Sequence, residues 1–146
     1  MQMKLNNIVL CLLILFFVGC GGPSFDKEVI IGTQGNLMKY DVAEISAKAG
    51  STLKIVFKNN ANMATMKHNI VFIKNEKFIK EIGEASANEP DYLVEEHEGI
   101  IAYTDMIGPY ETTELIFNVP SLKGRYPFIC TFPGHYSVMK GILEVN

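Results

Sequence analysis

The chain has 146 residues, 48% of them hydrophobic, and its 13 Lys and Arg residues against 16 Asp and Glu residues give a formal net charge of −3. This length fits one domain. The mild acidity argues against a nucleic-acid-binding protein, because phosphate binding requires clustered Lys and Arg side chains.

The first twenty residues differ from the rest of the chain and are predicted to be an export signal. Lys4 supplies a positive charge, and residues 8–18 form an almost unbroken apolar run. This run is shorter than the roughly 20 residues that span a bilayer, but it suits the core of a signal peptide. Residues 17–20, Phe-Val-Gly-Cys, resemble a bacterial lipobox, in which the cysteine is lipidated. A plain secretory signal and a membrane anchor are the alternatives.

The predicted organisation therefore has three parts. Residues 1–19 form a lipoprotein signal peptide, and residues 20–26 comprise the lipidated Cys20 and a flexible Gly- and Ser-containing tether. Residues 27–146 form one domain. Lipidation predicts an exported bacterial protein that is anchored to a membrane and faces the periplasm or the cell exterior.

Short strand-like runs separated by turn residues follow the tether, which predicts an all-β sandwich of about eight strands. In one of them Met38, Tyr40 and Val42 alternate with polar residues. Residues 74–87 and 91–96 lack this alternation and contain good helix formers, so we expect a flap with one or two short helices. The runs are residues 28–33, 38–46, 53–57, 69–73, 100–104, 115–119, 126–130 and 140–145.

Cys130 is the one cysteine left for the domain if Cys11 lies in the leader and Cys20 carries the lipid. A single thiol cannot close a disulfide within the domain, and an exposed thiol is a liability in an oxidising compartment. Cys130 shares one strand face with Tyr126 and Phe128. We therefore expect it to point inward from the end of a core strand, protected or bound to a metal.

A thiolate, an imidazole and a thioether occur close together as Cys130, His135 and Met139, and a second imidazole, His68, precedes the run 69–73. Each alone would suggest a buried apolar or structural residue. Together, two His and one Cys with a weak axial Met are the ligand set of blue-copper electron-transfer sites. Zinc is the alternative metal, but structural zinc sites present paired Cys or His at close spacing. We therefore predict one copper ion and an electron carrier rather than an enzyme.

Residues 130–141 resemble the copper loop of azurin and the auracyanins, members of the cupredoxin family, and residues 66–69 and 92–108 resemble other azurin segments. The resemblance implies a Greek-key β-sandwich. It also implies copper ligation by Nδ1 of both histidines, by the Cys130 sulfur and, weakly, by Met139.

The resemblance further implies roles for the neighbours of these ligands. Asn69 would link the two ligand loops through hydrogen bonds to the thiolate and to Thr131. Phe132 would donate a second N–H to the sulfur, and Pro133 would remove a donor nearby. Lys67 stands where azurin has a glycine whose carbonyl approaches copper opposite the methionine, so we expect a site closer to four-coordinate.

The expected activity is the exchange of single electrons with redox protein partners, by a monomer that uses the edge of His135 as its port. Apolar residues would surround that port, namely Met66, Met106, Phe132, Pro133 and Val138. A copper buffer or delivery protein is the second hypothesis, because Met63 adds another thioether to this group. A copper enzyme is the third, but it needs further ligands, and the one histidine left, His97, is expected to be solvated.

Overall fold

The computed structural model describes residues 22–146, which contain eight β-strands in two sheets and one short α-helix. The all-β prediction is thereby confirmed. The strands are β1 (Lys27–Gly32), β2 (Glu44–Ala47), β3 (Thr52–Lys58), β4 (Val71–Ile73), β5 (Ile100–Tyr103), β6 (Thr112–Asn118), β7 (Gly124–Ile129) and β8 (Lys140–Val145).

The two sheets pair distant parts of the chain. One sheet has the strand order β1-β3-β6 and the other has the order β2-β8-β7-β4-β5. β1 pairs in parallel with β3, and β2 pairs in parallel with β8, whereas the other pairs are antiparallel. Because parallel neighbours cannot be joined by a hairpin, the chain crosses from sheet to sheet, as in a Greek-key sandwich.

Strand β3 illustrates how the sequence directs side chains to the two faces of its sheet. Leu53, Ile55 and Phe57 are fully buried in the core between the sheets. On the opposite face Lys54 lies between two acidic side chains of the neighbouring strands, 3.2 Å from Glu28 and 3.0 Å from Glu114. The alternation of apolar and polar residues therefore fixes the register of the central strand.

The predicted flap is present between β4 and β5. It contains a 3₁₀ turn (Glu76–Phe78), helix α1 (Ile79–Ser86) and a second 3₁₀ turn (Pro90–Tyr92). Ile82 and Leu93 bury their side chains against the outer face of β4 and the end of β7. A side chain at Gly83 would collide with the Tyr136 ring, so glycine allows α1 to lie directly on the loop 130–139.

The predicted strand over residues 38–46 is wrong for residues 38–43. Only β2 is a strand there, and residues 34–39 form a loop in which the Gln34 N–H donates to the Lys39 carbonyl at 2.9 Å. Gly35 adopts a left-handed conformation that permits this turn. Met38 is 45% exposed whereas Tyr40 is buried. The alternation of apolar and polar residues around Tyr40 therefore does not mark a strand. It arises because a loop buries one aromatic side chain, that of Tyr40.

Candidate metal centre

Three of the four predicted copper ligands meet at one end of the sandwich. The Cys130 sulfur lies 3.7 Å from Nδ1 of His68 and 3.7 Å from Nδ1 of His135, and the three potential ligand atoms lie within 4.8 Å of one another. His68 and Cys130 are fully buried, and His135 is 5% exposed. No other group of three or more His, Cys, Asp or Glu side chains of this kind occurs in residues 22–146.

The loop 130–139 is closed by its own backbone. Cys130 directly follows β7, and its N–H donates to the Met139 carbonyl at 3.0 Å, while the Met139 N–H donates to the His135 carbonyl at 2.8 Å. Gly134 has a φ of +83°, which glycine adopts without steric cost at this turn. Met139 is fully buried in the same core cluster as Cys130.

His68 comes from the opposite side of the site. It exchanges two backbone hydrogen bonds with Ile107, at 3.0 and 2.9 Å, just before β4 begins. The carbonyl of Met66 accepts a hydrogen bond from the buried amide of Asn59 at 2.8 Å. Lys67 lies between these two fixed residues, and its side chain is exposed.

Asn69 connects the two ligand-bearing segments. Its Oδ1 accepts from the Thr131 N–H at 2.9 Å, and its Nδ2 donates to Thr131 Oγ1 at 2.8 Å. Thr131 Oγ1 in turn donates to the Tyr92 carbonyl at 2.7 Å, which joins the flap to the loop. The N–H groups of Asn69 and Phe132 donate to the Cys130 sulfur.

Burial favours the neutral form of all three candidate ligands when no cation is bound. It raises the pKa of the Cys130 thiol to about 12, although the N–H donors of Asn69 and Phe132 oppose this rise. Burial lowers the pKa of His68 to about 4, with a smaller contribution from His135, and it lowers the pKa of His135. A bound cation would favour the thiolate, so metal binding should release the thiol proton.

The donor set and its spacing fit one metal ion. Ligand atoms bonded to one ion at about 2.0 and 2.3 Å in a trigonal plane lie about 3.7 Å apart. This matches both sulfur–nitrogen distances. The chemistry of one thiolate and two imidazoles with a nearby buried thioether suits copper better than zinc or a hard cation.

Residues 27–146 match the family described as copper binding proteins, plastocyanin/azurin family. The chain belongs to this family. Copper is accordingly the cofactor of this cupredoxin, and His68, Cys130, His135 and Met139 form a typical type 1 copper site.

The similar proteins are auracyanins and azurins. Auracyanin-A of Chloroflexus aurantiacus is 35% identical over an alignment of 165 residues that covers both chains completely. Its solved structure, of a "blue" copper protein, has a TM-score of 0.75 and covers 82% of this chain and 98% of its own. The dithionite-reduced auracyanin of Roseiflexus castenholzii is 33% identical, with a TM-score of 0.74 and coverages of 86% and 99%. The azurin of Pseudomonas fluorescens biotype C is 35% identical over 116 residues, 75% of this chain and 91% of that protein.

The expectation that His97 is solvated is wrong. Its side chain is 12% exposed, and its Nε2 lies 3.3 Å from a Glu81 carboxylate oxygen. Its Nδ1 accepts from the Gly99 N–H at 2.9 Å, and its ring lies edge-on to Phe78. His97 therefore fastens the end of the flap to helix α1, away from the metal cluster.

Acidification should destabilise the copper-free domain. An unfolded histidine has a pKa of about 6.5, whereas the folded domain holds that of His68 at about 4. Between these two pKa values the unfolded chain binds more protons than the folded domain. The free energy of unfolding therefore decreases as the pH is lowered from 6.5 to about 4, and it levels off at still lower pH. Denaturant unfolding of the copper-free protein from pH 7 to pH 4 measures this slope. A His68→Gln variant should have a shallower slope, and equal slopes would contradict the prediction.

Proposed function

We propose that this protein is a blue-copper electron carrier that passes single electrons between redox protein partners, and that it is not an enzyme. The supporting observation is the closed cluster of His68, Cys130 and His135, with Met139 in the same core. Bound copper supplies a one-electron Cu(II)/Cu(I) couple. The "blue" copper auracyanin and the dithionite-reduced auracyanin among the similar proteins favour the same function.

The proposed roles follow from the donor atoms. Nδ1 of His68, Nδ1 of His135 and the Cys130 sulfur would bind the copper ion strongly, and the Met139 sulfur would bind it weakly. The Asn69–Thr131 pair and the closed loop hold these side chains in place before and after electron transfer. Because the ligands would move little between the two oxidation states of copper, the barrier to electron transfer would be low. Because the chain supplies every ligand, no position is left for a substrate.

The proposed port is the edge of His135. It is almost buried, and the neighbouring Val138 on the same loop is 57% exposed, while Phe132 packs 4.8 Å from the His135 ring. Small apolar surfaces of this kind suit brief redox encounters with interfaces below about 1,200 Å².

Copper loading and a redox titration test the proposal. The oxidised, copper-loaded protein should absorb strongly in the visible range, because a short Cu(II)–thiolate bond gives intense charge transfer. One electron equivalent of dithionite should bleach this band, and reoxidation should restore it. A colourless Cu(II) protein, or bleaching that cannot be reversed, would contradict the electron-carrier function.

Copper storage or delivery is the second candidate, since Met38 and Met63 expose thioethers that suit Cu(I). The complete burial of His68 and Cys130 favours electron transfer, because a buried ligand set should release its ion slowly. Copper transfer to a chelator separates the two functions. Exchange much faster than the unfolding of the domain would favour delivery.

We also propose that Cys20 carries the membrane anchor and that the protein faces the periplasm or the cell exterior. Cys20 and the predicted signal peptide, residues 1–19, lie outside the described residues. Within residues 22–146 no helix is long and apolar enough to cross a membrane.

Fatty-acid labelling in a bacterial host tests the anchor. The full-length protein should incorporate the label and sediment with membranes, and Cys20→Ala should lose both properties. A Cys11→Ala variant serves as the matched control and should keep them. Release of the unlabelled wild-type protein into the soluble exported fraction would show a plain secretory signal instead.

A further inference from the structure

Several polar side chains are buried close to the metal centre. Tyr40 is the largest buried side chain there that carries a hydroxyl group. Tyr40 is 1% exposed, and its ring packs between Phe57 and Phe128, with centroid distances of 6.0 and 5.3 Å. The other buried polar residues at this end are Thr33, Asn59, Asn69, Thr104 and Thr131. A phenylalanine would fill the same apolar space, so the hydroxyl group needs a separate explanation.

The Tyr40 hydroxyl donates a hydrogen bond of 2.7 Å to the backbone carbonyl of Asn69. The N–H on the other side of the same peptide bond, that of Ile70, donates to Thr104 Oγ1 at 2.9 Å. Tyr40 and Thr104 are both buried, and they belong to different loops. The Asn69–Ile70 peptide is therefore held at both of its polar atoms, one residue beyond the ligand His68.

Asn69 is also the residue whose own N–H donates to the Cys130 sulfur. We propose that Tyr40 is a positioning residue of the copper site, because its hydroxyl fixes the Asn69 backbone and thereby the N–H···S hydrogen bond to Cys130. The inference rests on the proposed blue-copper function. It adds to that function a group that sets the reduction potential from outside the ligands.

The direction of the effect follows from charge. An N–H donor stabilises the electron-rich thiolate and draws electron density away from the metal, which favours Cu(I) over Cu(II). A looser Asn69 backbone lengthens or misaligns this bond, so the reduction potential should fall. Burial raises the pKa of Tyr40 well above its ordinary value, with a further contribution from Cys130, so the hydroxyl remains a donor over the working pH range.

The Tyr40→Phe variant tests the inference, since it removes the hydroxyl and keeps the ring. Tyr126→Phe is the matched control, because the Tyr126 hydroxyl also donates to a backbone carbonyl at 2.8 Å, that of Leu122, at an exposed position. The measurements are the reduction potential and the visible spectrum of the copper-loaded full-length protein. Backbone amide hydrogen exchange of the copper-free protein provides a readout that needs no metal.

We expect Tyr40→Phe to lower the potential and shift the charge-transfer band, with no change in the control. Exchange at Asn69 and Ile70 should accelerate about tenfold relative to Ile55 in β3, since a buried carbonyl left without a donor destabilises its surroundings locally. Thr104→Val, which removes the partner on the other side of the peptide, should also lower the potential and provides a second variant if Tyr40→Phe does not fold.

A Tyr40→Phe protein with the wild-type potential and uniform changes in exchange would overturn the inference, because the hydroxyl would then contribute only to stability. A colourless wild-type protein would instead contradict the proposed function. Amide exchange in the copper-free protein distinguishes the two failures, since it reports on the Asn69 backbone whether or not the protein carries electrons.

Discussion

Cys130→Ser is expected to abolish the visible absorption of the copper-loaded protein and to weaken Cu(I) binding by more than about a hundredfold. This factor exceeds the 10–100-fold cost of losing a supporting contact around a metal ligand. The intense band requires a Cu(II)–thiolate bond, and the serine hydroxyl is a harder ligand that does not suit Cu(I). Visible absorption spectroscopy and competition with a Cu(I) chelator measure the two effects.

The matched control for Cys130→Ser is Val138→Ser in the same loop. Val138 is 57% exposed, so this variant places a hydroxyl group in the loop without changing a proposed ligand. It should keep the colour and the copper affinity. Circular dichroism should show that both variants retain the β-sandwich. A Cys130→Ser protein that remains intensely blue would remove Cys130 from the ligand set.

The sequence predicted best those strands whose side chains alternate between core and solvent. The run 140–145 coincides with β8, and the alternating residues Leu53, Ile55 and Phe57 lie in the centre of β3. The prediction failed at residues 38–43, where Tyr40 is buried by tertiary packing from a loop. Local alternation cannot distinguish a strand from a loop that inserts one side chain into the core.

The metal ligands could be predicted because their chemistry is rare and three of them lie within ten residues of sequence. The resemblance also indicated that Asn69 and Thr131 link the ligand loops, but the other residues that hold the ligands could not be predicted. Tyr40, Asn59 and Thr104 are ordinary residue types, and they reach the site through hydrogen bonds between chain segments that are distant in sequence. His97 was misjudged for the same reason, since its acidic sequence neighbours suggested solvent while α1 and Phe78 cover it.

Met139→Leu is expected to leave the protein blue and to raise its reduction potential by about 60 mV or more, a tenfold change in the relative affinity for the two oxidation states. The axial thioether is a weak donor that stabilises Cu(II) more than an apolar side chain does, and axial ligation tunes the potential of blue-copper sites. Met139 is fully buried. Leucine has a similar volume, so the packing cost should stay below about 1.5 kcal/mol.

Met66→Leu is the matched control for Met139→Leu, because Met66 is a half-buried methionine two residues before His68 that is not proposed as a ligand. It should leave the potential unchanged. Voltammetry of both variants, together with their visible spectra, separates an axial ligand from a residue that only fills the core. If Met139→Leu shifts the unfolding midpoint while its potential and spectrum match those of the wild type, Met139 contributes packing alone. The Cys130 thiolate with the two imidazoles would then account for the colour without a thioether.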